Sequence, residues 1–392
     1  MQALATRTGA GTRECASAAA EASPKLRVLQ VGKFYPPHKG GMESHLQALC
    51  GQLRGRVDVE VLVSSDTRET TEEVLDSVKV TRTGTLFDFA AAPVCPEAVR
   101  RIRESRADLV HIHWPHPTAL LAYLASGHKG RLVITYHSDI VRQKILAKLF
   151  WPVLRKVLDR ADAIVAASPN YVESSPILQR FEGKCRVIPF GVPLAQFDRF
   201  DPEEVARIRT LYGPRIVLGV GRLIYYKGFE HLVRAMKNLD AHLLIVGEGP
   251  LRGALEREAL REGVSDRVTL LGRVEDVVPY YHAADVFALS SVARSEAFGI
   301  VQLEAMACRK PVVNTALDSG VTFVSVDGVT GLTVPPGDSE SLAAALNRLL
   351  EDSALRALYG RAARLRVERE FDLEVMGRRT LRLYDEVMTH RS

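Results

Sequence analysis

The sequence predicts an α/β protein of two doubly wound, Rossmann-like domains facing each other across a cleft, and three observations carry that expectation. Short apolar runs alternate with longer amphipathic stretches, as parallel strands do when helices cover both faces of their sheet. The runs form two series, separated by the loop PFGVPLAQFDRFDPEE at 189–204. The chain of 392 residues is also about twice the length of an ordinary domain.

In the first series the strands are LRVLQVG (26–32), VEVLVSS (59–65), LVHIH (109–113), RLVITYH (131–137) and AIVAAS (163–168). The second runs RIVLGVG (215–221), HLLIVGEG (242–249), RVTLLG (267–272), DVFALSS (285–291) and KPVVNT (310–315). Ligands of open α/β sheets bind beyond the carboxyl ends of the strands, so two facing sheets make the cleft the natural site. Residues 1–24 lack the continuous apolar core of a secretory signal and read as a disordered leader. The first domain then occupies 25–200 and the second 201–372. A closing helix at 373–392 carries an apolar stripe of Leu373, Val375, Met376, Leu381, Leu383, Tyr384 and Val387, which is expected to return to the first domain.

Composition removes several classes of function. No apolar stretch reaches the roughly 18 residues that a membrane-spanning helix needs. The five cysteines, Cys15, Cys50, Cys95, Cys185 and Cys308, are scattered and form no C-x-x-C pair, which argues against a disulfide framework or a zinc knuckle and fits a reducing cytoplasm. Net charge is +5, but residues 1–200 hold 27 Lys and Arg against 20 Asp and Glu, so the first half is the basic one. It suits an anionic partner such as a phospholipid surface or a phosphorylated sugar carrier. Nucleic acid is not expected, because no basic run with interleaved aromatics is present.

The chemistry-bearing segments follow the strands. After the first strand, Gly40 and Gly41 precede an amphipathic helix; paired glycines allow close backbone approach and a helix start attracts anions, although Gly-Gly also serves as a plain flexible connection. In GVGRLIYYKGFEHL, Arg222 stands just past a strand and Lys227 at the next helix, so two cations converge as a diphosphate seat. The position three beyond Gly221 is Ile224, which leaves the G-x-G-x-x-G dinucleotide fingerprint incomplete. In SEAFGIVQLEAMA, Glu296 precedes a helix and Glu304 lies inside it, placed to accept hydrogen bonds from the hydroxyls of one elongated ligand. Between them Ala297, Phe298, Gly299 and Ile300 offer backbone N–H groups. A favourable helix dipole would explain Glu296 alone but not Glu304.

These motifs resemble those of the retaining glycosyltransferases of the GT-B fold known as family 4, or group 1. The resemblance rests on G-R-x4-K-G at 221–228, GRVEDVVPYYHAADVFALSS at 272–291, S-E-A-F-G-I-V-x2-E-A-M-A at 295–307 and DGVTGLTVPPGD at 327–338, and it covers residues 25 to about 385. It implies that Arg222 and Lys227 bind the donor diphosphate, Glu304 the ribose, and Glu296 with the backbone of Phe298 and Gly299 the transferred sugar. It further implies that Gly247 and Gly249 of GEGP line the base pocket with Val274, that Gly41 completes the diphosphate site across the cleft, and that His137 in TYHSD contacts the donor sugar. Two departures stand out. Arg309 occupies a position commonly held by Gly, expected to be a surface change, and LDSGVTF lacks the family's acidic residue near donor and diphosphate.

His111 and His113 share one strand face, with His116 and His137 nearby, which raises a metal reading. No carboxylate or cysteine accompanies them at ligand spacing, and no metal is expected. His113, Asp139 and Gly40 are assigned instead to the acceptor side. Residues 142–160 mix Arg142, Lys144, Lys148, Arg155, Lys156 and Arg160 with apolar residues, as a helix on an anionic membrane surface does. The plain alternative is a helix packed on its sheet and broken at Pro152.

The expected activity is transfer of a hexosyl unit from a nucleoside diphosphate sugar to a hydroxyl of a saccharide or lipid-linked acceptor, in cell-surface polysaccharide or glycolipid synthesis. TYHSDI and SPNY resemble polysaccharide mannosyltransferases, which favours GDP-mannose as donor. No general base or nucleophile stands out, and the resemblance implies a front-face, retaining route without a cofactor. A sugar-nucleotide epimerase and a non-catalytic nucleotide-sugar-binding protein share the architecture and stand as alternatives. The expected location is cytoplasmic and peripheral on the inner face of the cytoplasmic membrane.

Overall fold

The computed structural model describes residues 25–38, 40–89, 92–139 and 144–389. The leader at 1–24 and Arg142 lie outside the described residues. The first sheet contains β1 (Arg27–Val31), β2 (Asp58–Ser64), β3 (Thr71–Leu75), β4 (Val78–Thr83), β7 (Leu109–Trp114), β8 (Arg131–Tyr136), β9 (Ala163–Ala166) and β10 (Cys185–Val187), while β5 (Phe87–Phe89) and β6 (Ala92–Val94) form a separate small hairpin. The second sheet contains β11 (Ile216–Val220), β12 (His242–Val246), β13 (Val268–Gly272), β14 (Val286–Leu289), β15 (Val312–Thr315) and β16 (Gly331–Val334).

The strand orders are β10-β9-β8-β7-β1-β2-β4-β3 and β13-β12-β11-β14-β15-β16. Every pairing in both sheets is parallel except that of β3 with β4. The order in which strands are added reverses between β1 and β7 in one domain and between β11 and β14 in the other, and such switch points open the crevices that α/β folds use for ligands. All ten expected strands are present. The sequence does not announce β3, β4, β10 or β16 as strands; the TEEVL residues of β3 are mostly exposed and polar, so an edge strand here leaves no run of apolar residues.

Each sheet is buried on both faces, which is why its strands read as continuous apolar runs. In the first domain Ile112, Trp114, Ile134 and Ile164 pack under one helical layer, while Val28, Val61, Leu109 and Val133 face the other. That second layer consists of the helix Gly41–Leu53 and the C-terminal helix Leu373–Thr389, whose Met376, Leu383, Tyr384 and Val387 are buried there. The two connections between domains bind each other: Val192 N–H donates to the Phe371 carbonyl at 2.9 Å, and Leu373 N–H to that of Val192 at 3.3 Å. A side chain on Gly191 would begin 2.9 Å from the Leu373 backbone, so only glycine allows this crossing.

The helix Lys144–Arg160 runs through Pro152, where a break was expected. Its own Leu154, Val157 and Leu158 are buried, Phe150 stacks on Trp114, and the Arg180 guanidinium covers Trp151 at 5.1 Å. Packing on both sides of the proline offsets the hydrogen bond that it cannot donate. Cys50, Cys95, Cys185 and Cys308 are free thiols, and no described helix is long and apolar enough to cross a membrane.

Candidate active site

The second domain supplies a compact cluster at the carboxyl ends of β11 and β14. Gly221 has a φ of 152°, and the side chain of Lys227 folds back over it, with atoms 3.1–3.5 Å from where a Cβ would sit. Gly228 has a φ of 59° and leaves only 2.2 Å between a notional Cβ and the Ser290 carbonyl, so the K-G pair is required both by backbone conformation and by contact. Lys227 is thereby buried, with its Nζ 2.6 Å from Glu296. Glu296, 7% exposed, also accepts from the Ser291 hydroxyl at 2.9 Å. Arg222 stays exposed at the end of its strand. The two cations therefore differ: one is preorganised in a buried ion pair, and the other is free to swing onto a ligand.

Gly247 and Gly249 are explained by close approach. A Cβ on Gly247 would lie 2.0 Å from the Gly221 carbonyl oxygen, and one on Gly249 would lie 2.4 Å from that of Leu223. These glycines bring the loop after β12 directly against the loop carrying Arg222. Val274 packs half-buried against the domain core just beyond β13.

Gly299, with φ of 75°, starts the helix Ile300–Ala307. The amides of Phe298, Gly299 and Ile300 have no hydrogen-bond partner among the described residues, as expected for Gly299 and Ile300 at a helix start, and they follow Glu296 closely in the chain. Glu304, one turn further on, accepts from the Tyr281 hydroxyl at 2.6 Å. Burial pushes its carboxyl above the usual carboxylate range, opposed by the Tyr281 hydrogen bond and the Lys227 charge.

The first domain meets this cluster directly. A Cβ on Gly41, the first residue of its helix, would lie 3.8 Å from Ile300 Cδ1, so a helix start from one domain faces the helix start of the other. Gly40 precedes it in an extended conformation, against the Glu43 carboxylate. His137 follows β8 and stacks on Phe190, which in turn meets Phe298 edge-on at 4.9 Å. His113 is buried behind His137, joined to it by a 3.0 Å hydrogen bond.

Asp139 stands apart from the histidines as a junction. Its carboxylate accepts from Tyr136 at 2.8 Å and Ser175 at 3.0 Å, and Arg294 of the second domain lies 3.6 Å away. Arg294 also donates to the Ser174 hydroxyl at 3.1 Å. The LDSGVTF loop sits at the same seam: the Asp318 carbonyl accepts from Ser174, and Thr322 from Asn170.

Three participants escaped the sequence reading. Tyr281 lies inside the 272–291 motif with nothing local to single it out, and Arg294 sits two residues before Glu296 but reaches into the other domain. His45, 8% exposed, lies on the buried face of the Gly41–Leu53 helix beside Leu46 and Leu49. A histidine on an apolar helical stripe was the available signal. Ligand nitrogens of His45, His113 and His137 fall within 4.8 Å of one another, the one such group among the described residues with the makings of a metal site. The His113 and His137 ring centroids, however, lie 5.3 Å apart with their nitrogens 3.0 Å apart, a spacing reached when the two nitrogens point straight at each other. That is hydrogen-bond geometry, whereas chelation needs converging lone pairs.

Arg309 is exposed, as a surface change would be, and it also occupies a special backbone position. Its φ is 57°, and it ends the Ile300–Ala307 helix with Lys310 N–H bonded to the Ala305 carbonyl and Arg309 N–H to that of Met306. This is the paired closing motif that normally places glycine in the left-handed position.

Comparison with known proteins agrees with this architecture. The family model described as "Glycosyl transferases group 1" matches residues 202–366, and "Glycosyltransferase Family 4" matches 39–196. The chain is 34% identical to the O-antigen chain mannosyltransferase C of Escherichia coli, over 94% of this chain and 100% of that protein. It is 33% identical to the D-rhamnosyltransferase WbpZ of Pseudomonas aeruginosa, over 88% of this chain and 92% of the relative. Among solved structures, sucrose-phosphate synthase from Thermosynechococcus elongatus superimposes with a TM-score of 0.79 at 25% identity, covering 93% of this chain and 100% of the other. One third identity along nearly the whole chain, with one family model on each domain, shows that this protein belongs to the family 4, group 1 glycosyltransferases of the GT-B fold, a hexosyltransferase.

Proposed function

We propose that the protein transfers a manno-configured hexosyl unit, with GDP-mannose as the donor, to a hydroxyl of a saccharide or lipid-linked acceptor, with retention of anomeric configuration. The observation that carries this reading is the convergence of buried Lys227 and Glu296 with the unpaired amides of Phe298, Gly299 and Ile300, opposite Gly41. Cations and free amides suit a diphosphate, and a carboxylate beside them suits sugar hydroxyls. The choice of sugar is supported by the two relatives, one named for mannose and one for D-rhamnose, which is 6-deoxymannose. The two sugars agree at every ring hydroxyl and differ only at C6.

In this mechanism Arg222 and Lys227 hold the charge that grows on the diphosphate as the glycosidic bond breaks, which is usually the largest catalytic contribution. The leaving diphosphate takes the proton of the incoming acceptor hydroxyl on the same face. His137 and Glu296 orient the sugar, and Glu304 holds the ribose. On this reading the two cations supply the charge that a metal would otherwise bring to the diphosphate, and turnover is expected to persist in EDTA.

The decisive experiment offers purified protein GDP-mannose, GDP-D-rhamnose and uridine diphosphate sugars, with and without saccharide or polyprenyl-linked acceptors. Acceptor-dependent release of GDP and an axial glycosidic product by NMR are expected; sugar interconversion with donor alone would indicate an epimerase. Attachment to anionic membranes forms part of the same reading. Lys148 and Lys156 are exposed on the Lys144–Arg160 helix, while Arg160 is engaged by the His128 carbonyl and the Tyr123 ring. Salt-sensitive binding to anionic but not neutral vesicles, weakened by Lys148→Glu with Lys156→Glu, checks it.

A further inference from the structure

Between the first sheet and its covering helices runs a continuous chain of buried hydrogen bonds. His137 Nε2 lies 3.0 Å from His113 Nδ1, and His113 Nε2 lies 3.0 Å from Gln30 Oε1. Gln30 Nε2 donates to the Tyr384 hydroxyl at 2.8 Å. That hydroxyl lies 2.6 Å from His111 Nδ1, and His111 Nε2 lies 2.7 Å from Thr135 Oγ1. Gln30 and Tyr384 are 0% exposed and His137, the most open member, 7%. One end of the chain is therefore at the cleft, and its centre is on the C-terminal helix.

Burial holds all three histidines neutral, pulling His111 down to about 3 and the other two well below their usual value. A neutral imidazole has one N–H and one bare nitrogen, so each link dictates the next. With the Gln30 oxygen toward His113, the His113 proton is on Nε2, its Nδ1 accepts, and His137 must carry its proton on Nε2. On the other side, Tyr384 accepts from the Gln30 amide and must donate to His111. Turning the Gln30 amide over reverses every link together. The chain has two self-consistent polarities, and the residue that selects between them is held by Tyr384.

We propose that Tyr384 and Gln30 are positioning residues for transfer, fixing the tautomer and ring orientation of His137 through His113. This rests on the reading that His137 faces the donor sugar. It gives the C-terminal helix a role in chemistry: the returning segment delivers the one hydroxyl that both accepts from Gln30 and donates to His111, and a phenyl ring of the same shape cannot do either.

The test uses the full chain labelled with 15N-histidine, in wild type, Tyr384→Phe and Gln30→Met. Long-range nitrogen–proton correlation reads the tautomer of each ring without reference to activity. In wild type, single tautomers are expected for His111, His113 and His137. In both variants His113 and His137 should become tautomer mixtures, with kcat down about 10-fold or more, as for loss of an oriented catalytic group, and donor KM within about 2-fold. Gln30→Met provides the second route if Tyr384→Phe loosens the helix. Unchanged tautomers in both folded variants, or changed tautomers with unchanged kcat, overturn the proposal. His137→Ala separates the two readings: full activity there refutes a role for His137 at the sugar and this proposal with it. Impaired activity there, alongside an indifferent Tyr384→Phe, refutes the relay alone.

Discussion

Removing the Lys227 ammonium tests catalysis and folding at once, because the same nitrogen serves a buried ion pair and the proposed diphosphate seat. Lys227 and Glu296 side chains are 10% and 9% exposed with 2.6 Å between their charged atoms. Stripping one partner from such a pair costs about 3–5 kcal/mol, because the survivor is left charged and desolvated. Here the lower end applies, since Ser291 still donates to Glu296. In a domain of this size, a loss of about 3 kcal/mol lowers the melting temperature by roughly 6–12 °C. Lys227→Ala should show that loss together with a fall in kcat of about 100-fold or more. Adding Glu296→Gln to Lys227→Met should restore most of the stability, because a neutral pair of similar volume leaves no buried charge, yet it should restore no turnover. Urea unfolding followed by tryptophan-independent far-UV signal, run beside an assay of nucleoside diphosphate release, reads both. A Lys227→Ala protein of wild-type stability would show that the pair is open in solution, and activity within a few-fold of wild type would remove this lysine from the mechanism.

The carboxyl of Glu304 titrates above the usual range because it is buried, so the folded state holds its proton more tightly than the unfolded state and stability falls as pH rises through that interval. Glu304→Gln should therefore stabilise the protein more at pH 8 than at pH 4 while weakening donor binding; equal gain at both pH values would show the carboxylate to be well solvated. Burial lowers His45 to about 4, His111 and His116 to about 3, and His113 and His137 well below the ordinary value. Their folded values are depressed, so the stability they allow is complete above pH 6.5 and is lost as pH falls below it, with a slope of about 1.4 kcal/mol per pH unit for each ring. The first domain should unfold in acid before the second, as hydrogen exchange of each domain can show, and simultaneous unfolding would contradict this. Arg309→Gly should stabilise the second domain by about 1 kcal/mol by relieving a left-handed residue, and thermal melting that moves downward would refute the strain.

The residues of the second-domain cluster could be read in advance because they are local. Arg222, Lys227 and Gly228 lie within one strand-to-helix loop, and Glu296, Phe298, Gly299 and Glu304 within another, so spacing alone set their relation to a helix start. Ten of the fourteen strands in the two sheets were equally readable, since burial on both faces leaves continuous apolar runs. Where burial is one-sided or absent, as in TEEVL of β3, the run disappears. A proline expected to stop the Lys144–Arg160 helix did not, because Trp114 and Arg180, distant in sequence, pack over the two residues before it and Leu154, Val157 and Leu158 are buried after it.

What the sequence by itself determined is the α/β class, the two-domain division and the short-range geometry of the second-domain cluster: these depend on periodicity and on glycines whose reasons lie a few residues away. The tertiary structure alone decided which distant side chains share a desolvated space. Gln30 and Tyr384 are 354 residues apart, and only the return of the C-terminal helix puts a hydroxyl beside a lone amide inside LRVLQVG. The same holds for Arg294 and Asp139 across the domain seam. A polar residue in an apolar run announces that it needs a partner, because an unpaired buried polar group is expensive. It does not announce which partner, since that is settled by how the sheets and helices pack.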